Sequence, residues 1–153
     1  MNSLKAHVGG VYKTKQGFMV ALRSEDSRKV LPVFVSKNQA RSIKLGLSEK
    51  ESPRPLTHDI LRQVIEDQDL TVESVTVDDL FKGTFTAELR LKRGDRTFPY
   101  DVRPSDAIAL AVRTDTDIHV SGDVMDRAGK DVEGRAEDPR ELALRRFEDK
   151  SQE

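Results

Sequence analysis

The sequence predicts an α+β domain assembled from two similar ββ-β-α units joined by a connecting helix. Three observations predict it. Apolar residues alternate with polar ones in short runs, the spacing then switches to three and four, and the whole pattern returns 67 residues later without a gap.

Val8, Val11, Phe18, Val20 and Leu22 fall in two alternating runs parted by Lys13 to Gly17, the pattern of a hairpin. Lys29 to Val35 forms a third run after the polar turn Ser24 to Arg28. In Lys37 to Leu47 the apolar residues Ala40, Ile43 and Leu47 lie on one face of a short helix. The 67-residue shift then carries Val8 onto Val75, Phe18 onto Phe85, Leu22 onto Leu89, Pro32 onto Pro99, Val35 onto Val102 and Ala40 onto Ala107. Identities that recur at core-facing positions point to an internal duplication. Between the units, Arg54 to Gln68 carries Leu56, Ile60, Leu61, Val64 and Ile65 behind prolines, Thr57 and Asp59, the start signals of a second amphipathic helix. A helix over Pro104 to Arg113 and a short strand over Asp117 to Val120 complete the domain, drawn at residues 1–129. Residues 130–153 form a charged tail whose apolar content is confined to Leu142, Leu144 and Phe147, enough for one short helix.

Composition narrows the function. With 153 residues, 36% hydrophobic and 35% charged, one core is expected and wholesale disorder is not. The absence of cysteine removes disulfides, thiolate metal sites and cysteine nucleophiles. No apolar run reaches the roughly 20 residues of a membrane span, and Met1 to Lys5 lack the apolar stretch of a secretory signal; a cytoplasmic protein without membrane contact is expected. The net charge of -1 conceals polarity along the chain. Residues 1–50 hold ten Lys/Arg against three Asp/Glu, and the remainder is acidic. The basic third either neutralises the acidic part or meets phosphates. Gly-rich phosphate loops, HExxH and GxSxG are all missing.

The repeat also marks its own exceptions. Phe34 of the first unit becomes Asp101 in the second, and Ser36 to Gln39 becomes Arg103, Pro104, Ser105 and Asp106. A strand end leading into a helix N-terminus favours anions through free N–H groups and the dipole. The same residues also start a helix without further purpose: Pro104 suits the first position, Asp106 the third, and Arg103 can pair with Asp101. A second polar cluster, Arg54, Thr57, His58 and Asp59, opens the connecting helix. Imidazole and carboxylate serve proton transfer or metal binding, and arginine suits phosphate. Capping by Thr57 or Asp59 is the plainer alternative. Adjacent His58 and Asp59 diverge on a helix, and His7 and His119 read as ordinary strand residues.

The phrases Arg54-Pro55-Leu56-Thr57-His58-Asp59 and Asp101-Val102-Arg103-Pro104-Ser105-Asp106-Ala107-Ile108-Ala109-Leu110-Ala111, with the strand Leu31-Pro32-Val33, resemble the bifunctional nuclease family from about Val8 to Met125. The resemblance implies a mixed sheet with flanking helices, a homodimer, and hydrolysis of DNA and RNA. It carries the motif onto Arg54, Thr57, His58, Asp59, Asp101, Arg103, Ser105 and Asp106. The sequence departs from the family at Gln39, where Glu is usual, and at Asp117, where Pro is usual.

Two functions follow as expectations. In a metal-assisted phosphodiesterase, Asp59, Asp101 and Asp106 hold Mg²⁺ or Mn²⁺, and His58 orients or deprotonates water as a further catalytic group. Arg54, Arg103, Thr57 and Ser105 bind phosphate. In a non-catalytic binding module, the same groups recognise an anion or nucleic acid without turnover. Convergence of the three carboxylates separates the two. The N-terminal strands are the expected dimer edge.

Overall fold

The computed structural model describes residues 2–48 and 53–131. The first unit comprises β1 (Ser3–Thr14), β2 (Gly17–Ser24), β3 (Lys29–Val35) and α1 (Lys37–Ser48). The connecting helix α2 (Thr57–Asp67) follows. The second unit is β4 (Thr71–Phe81), β5 (Thr84–Arg93), β6 (Arg96–Val102) and α3 (Pro104–Thr114), and β7 (Ile118–Ser121), α4 (Gly122–Ala128) and β8 (Lys130–Asp131) complete the described chain. A shift of 67 carries the start of β2 onto that of β5, both ends of β3 onto those of β6, and the start of α1 onto that of α3. The expected tail helix with Leu142, Leu144 and Phe147 lies outside the described residues.

All eight strands form one sheet, in the order β6-β5-β4-β7-β1-β2-β3-β8. Each unit is an antiparallel meander, and the two run outward from β7 in matching order, β1-β2-β3 on one side and β4-β5-β6 on the other. The mixed character of the sheet follows from this arrangement. The strand β7 pairs antiparallel with β1 and parallel with β4, because the strands it separates run in opposite directions. Ile118 and Val120 thereby join Ala6, Val75 and Val77 in the core.

Of the N-terminal strands expected to form an edge, β1 pairs with β7 over Ser3–Ala6 and with β2 over Ala6–Thr14. The outer strands are β6 and β3, the latter extended only by the two-residue β8. Pro32 and Pro99 sit at equivalent places in these strands, where a residue without N–H is tolerated and further pairing is discouraged.

Helices α1 and α3 supply Ile43, Ala107, Ile108, Ala109, Leu110 and Ala111 to the main core. Their close approach depends on Gly46. A Cβ there would lie 2.6 Å from Val112 Cγ2 and 2.9 Å from the Arg113 guanidinium, distances that force a shift. The Lys82-Gly83 turn between β4 and β5 has both residues at positive φ, 52° and 79°, the backbone hand that matches strand twist.

Two elements escape sequence reading. In α4, Ser121 Oγ accepts from the Val124 N–H at 3.1 Å and the helix buries Val124 and Met125, but seven residues are too few for periodicity to register. The two residues of β8 join the sheet only through β3, so the sheet continues beyond the boundary drawn at residue 129. The connecting helix begins at Thr57 rather than Arg54, because Pro55 precedes it in extended chain. No helix of the described residues is long and apolar enough to cross a membrane.

Candidate functional site

Three helices converge on His58. It sits in the first turn of α2, and its ring lies between Ser42 on α1 and Asp106 on α3. His58 Nδ1 is 2.6 Å from Ser42 Oγ, and Nε2 is 2.9 Å from Asp106 Oδ1. An ionised carboxylate only accepts, so Nε2–H donates to Asp106, and Nδ1 of the neutral ring accepts from the Ser42 hydroxyl. Arg103 Nε donates to Asp106 Oδ2 at 2.9 Å and closes the far side. Partial burial works to raise the Asp106 carboxyl, but hydrogen bonds from Arg103 and His58, with the charge of Arg103 and that of His58 when it is protonated, outweigh it and hold the group below its ordinary value.

Asp106 therefore does not serve as the helix cap that its third position in α3 suggests. Its counterpart Gln39 does: Ser36 N–H donates to Gln39 Oε1 at 2.7 Å, and Gln39 N–H donates to Ser36 Oγ at 3.1 Å, a reciprocal capping box. The departure at Gln39 is thus accommodated as a neutral cap. Arg103 pairs with Asp106 and not with Asp101.

Asp59, one residue beyond His58, turns the other way, as a 100° helical step requires. Its Oδ1 accepts from Arg113 Nε at 2.8 Å and its Oδ2 from the Leu56 N–H at 2.8 Å. Here too desolvation raises the carboxyl, and the Arg113 and Leu56 hydrogen bonds with the charges of Arg113 and Arg62 more than reverse it. The Arg113 side chain is only 5% exposed and also donates to Ala109 O, so this pair locks α2 to α3 and caps α2 at once. Both groups line a cleft of about 910 Å³. Glu25, Asp59, Asp115 and Asp117 face Arg62 and Arg113 there, a lining whose carboxylates disfavour phosphate.

Asp101 does not join either cluster. Val102 and Phe98 pack toward the core, so alternation turns Asp101 to the opposite face of β6, away from the helices. Its counterpart Phe34 is 49% exposed, so the exchange took place on a surface position and carries no sign of a remodelled core. The expected Mg²⁺ or Mn²⁺ triad of Asp59, Asp101 and Asp106 is accordingly not assembled: one carboxylate is committed to Arg113, one to His58 and Arg103, and the third lies across the sheet. Among the described residues no group of three or more His, Asp or Glu is placed to hold a metal ion.

The expected phosphate ligands differ in their access to solvent. Arg103 is largely exposed beside the His58–Asp106 pair, and Arg54 and Thr57 are exposed just before and at the start of α2. Ser105 is buried in the first turn of α3, so its hydroxyl is withheld from a phosphate in solvent. Ser42 and Arg113 are the residues sequence reading missed. One signal was available for Ser42: it faces Ala109 in the repeat, the same polar-for-apolar exchange that drew attention to Asp101.

A mixed sheet with four helices, and a half-buried histidine bridging serine and aspartate beside an exposed arginine, define an α+β domain with a polar cluster where three of the helices meet. Residues 20–133 match the bifunctional nuclease domain, and the chain belongs to that family. It is 32% identical over 130 residues to uncharacterized proteins from two strains of Mycobacterium tuberculosis, covering 85% of this chain and 77% of theirs. It is also 31% identical over 105 residues to bifunctional nuclease 2 of Oryza sativa subsp. japonica, covering 66% of this chain and 32% of the rice protein.

Proposed function

We propose that the protein hydrolyses phosphodiester bonds of DNA or RNA at the His58–Asp106–Arg103 cluster. The observation that carries the reading is His58 itself, held by partners on both ring nitrogens where three helices meet, next to an arginine with a free face toward solvent. Arg103, with Arg54, binds the phosphate and neutralises the charge that grows on its oxygens during attack by water. His58 takes a proton from the attacking water and returns it to the leaving oxygen as the old P–O bond breaks; Asp106 fixes its orientation and stabilises the imidazolium. Asp59 and Asp101 take no part, and no step passes through a metal, since the carboxylates do not fit one.

The test is cleavage of end-labelled DNA and RNA by the wild type, His58→Gln and Asp106→Asn, each with Mg²⁺, Mn²⁺ or chelator. Loss of about 100-fold or more in rate with a retained circular dichroism spectrum supports the assignment. Equal cleavage by all three proteins removes it. One observation favours the second reading, a non-catalytic anion or nucleic-acid binding module: the hydrogen-bonding capacity of His58 is already met inside the chain. Tight binding without turnover by the wild type selects that reading.

The chain is further proposed to form a homodimer. Ile60 and Val64 on α2 are both 52% exposed, and together with Leu61 they form an apolar stripe wider than one chain covers. With proline in both outer strands, this helix face supports self-association better than the sheet edges do.

A further inference from the structure

We propose that the outer face of α1, carried by Lys37, Arg41 and Lys44, is a docking track for the phosphate backbone of a nucleic acid. The proposal rests on the reading of the protein as one that acts on nucleic acid, and it concerns a surface distinct from the His58 cluster. The three residues are exposed and follow the i, i+4, i+7 spacing of a single helical stripe. The seven residue steps from the first to the last rise about 10 Å, the axial length over which one strand of duplex presents about three phosphates.

Charged stripes are usually no more than solvated faces, and the arrangement of charge here departs from that pattern in two ways. On the other helices each arginine is matched by a carboxylate: Arg62 with Glu66, Arg113 with Asp59, Arg127 with Asp123. By contrast α1 contains no Asp or Glu in its twelve residues, and its three cations have no carboxylate partner among the described residues. Like charges at these spacings repel one another along the helix. Lys37 also occupies the first helical position, where the dipole favours an anion and opposes a cation. The neutral Ser36–Gln39 capping box leaves that end without compensating acid. An incoming row of phosphates relieves both conflicts.

The same comparison resolves the basic N-terminal third of the chain. Part of it is neutralised internally, through Lys5 to Glu25 and Asp117 and Lys29 to Asp126. Among the described residues the α1 cations, like Lys13, Arg23 and Arg28 on the strands and turns, have no carboxylate partner, and only the α1 three are aligned on one helical stripe. The inner side of this helix supplies Ser42 to His58, so one rigid element presents the track on its outside and supports the site from within. The acidic cleft beside Asp59 offers no competing path for phosphate.

The test is fluorescence anisotropy with 5′-labelled 20-nucleotide single strands of DNA and of RNA. The wild type, His58→Gln and the triple variant Lys37→Gln/Arg41→Gln/Lys44→Gln are titrated between about 50 and 300 mM NaCl. Each phosphate contact on a single strand contributes about 0.7 to the slope of log K against log salt. The triple variant is therefore expected to lose about 2 from that slope and more than 10-fold in affinity at the lowest salt, with a melting temperature equal to or above the wild type. His58→Gln keeps the slope. An unchanged slope in the triple variant overturns the track. So does wild-type binding to phosphatidylserine vesicles but to neither nucleic acid, which would assign the stripe to membrane surfaces. If His58→Gln still cleaves while the triple variant loses the slope, the His58 assignment fails and the track stands; the reverse result leaves the site and removes the track.

Discussion

Replacing Asp59 by alanine tests whether this residue, part of the family motif, serves structure rather than chemistry. The substitution removes two interactions. The first is the hydrogen-bonded charge partner of Arg113, whose guanidinium stays buried behind it and whose loss costs about 1.5–3 kcal/mol. The second is the acceptor for the Leu56 N–H at the start of α2, worth about 1 kcal/mol as a cap. Their sum is about 2.5–4 kcal/mol, which in a domain of this length lowers Tm by about 10 °C. Urea unfolding of the wild type, Asp59→Ala, Arg113→Met and the double variant separates the two parts. In the Arg113→Met background only the cap remains to be lost, so Asp59→Ala should cost about 1 kcal/mol there, leaving a coupling of about 2 kcal/mol. Coupling below about 0.5 kcal/mol refutes the argument. Full stability of Asp59→Ala together with abolished cleavage refutes it more thoroughly, because Asp59 would then belong to the reacting groups.

Acid unfolding should report Asp59 and Asp106 together. Both have folded values depressed below 3.8, so the unfolded chain binds protons first as pH falls. Their contribution is complete above about pH 4 and disappears as pH drops through the lowered folded values; urea midpoints measured between pH 6 and pH 2.5 should fall less steeply in Asp59→Asn and Asp106→Asn than in the wild type. Ser36→Ala should cost about 1 kcal/mol by breaking the α1 capping box, read as a shift in urea midpoint with unchanged slope. Ile60→Lys/Val64→Lys should yield a monomer by sedimentation at micromolar concentration where the wild type is a dimer; an unaltered dimer places the contact away from α2.

The order of elements was open to sequence reading because it rests on local physics. Alternation marks β1 to β6, three-and-four spacing marks α1 to α3, and proline with Thr57 or Asp106 marks helix starts; each signal is complete within a few residues. The 67-residue offset extends that reading to the matching starts of β2 and β5, β3 and β6, and α1 and α3. Both motif phrases were visible too, and with them His58, Asp106 and Arg103. What the sequence could not convey was which of these residues face one another. Ser42, His58 and Asp106 lie 16 and 48 residues apart along the chain, and Asp59 and Arg113 lie 54 apart. Those contacts exist because Gly46 lets α1 and α3 pack closely and α2 settles across both, with one helical step turning His58 and Asp59 to opposite sides. Asp101 shows the converse. Its place in a motif phrase suggested a shared site, but the two-residue alternation of β6 sends its side chain through the other face of the sheet. Only the packed structure decides such partnerships, because side-chain direction is set by backbone geometry and encounter by the assembly of distant elements.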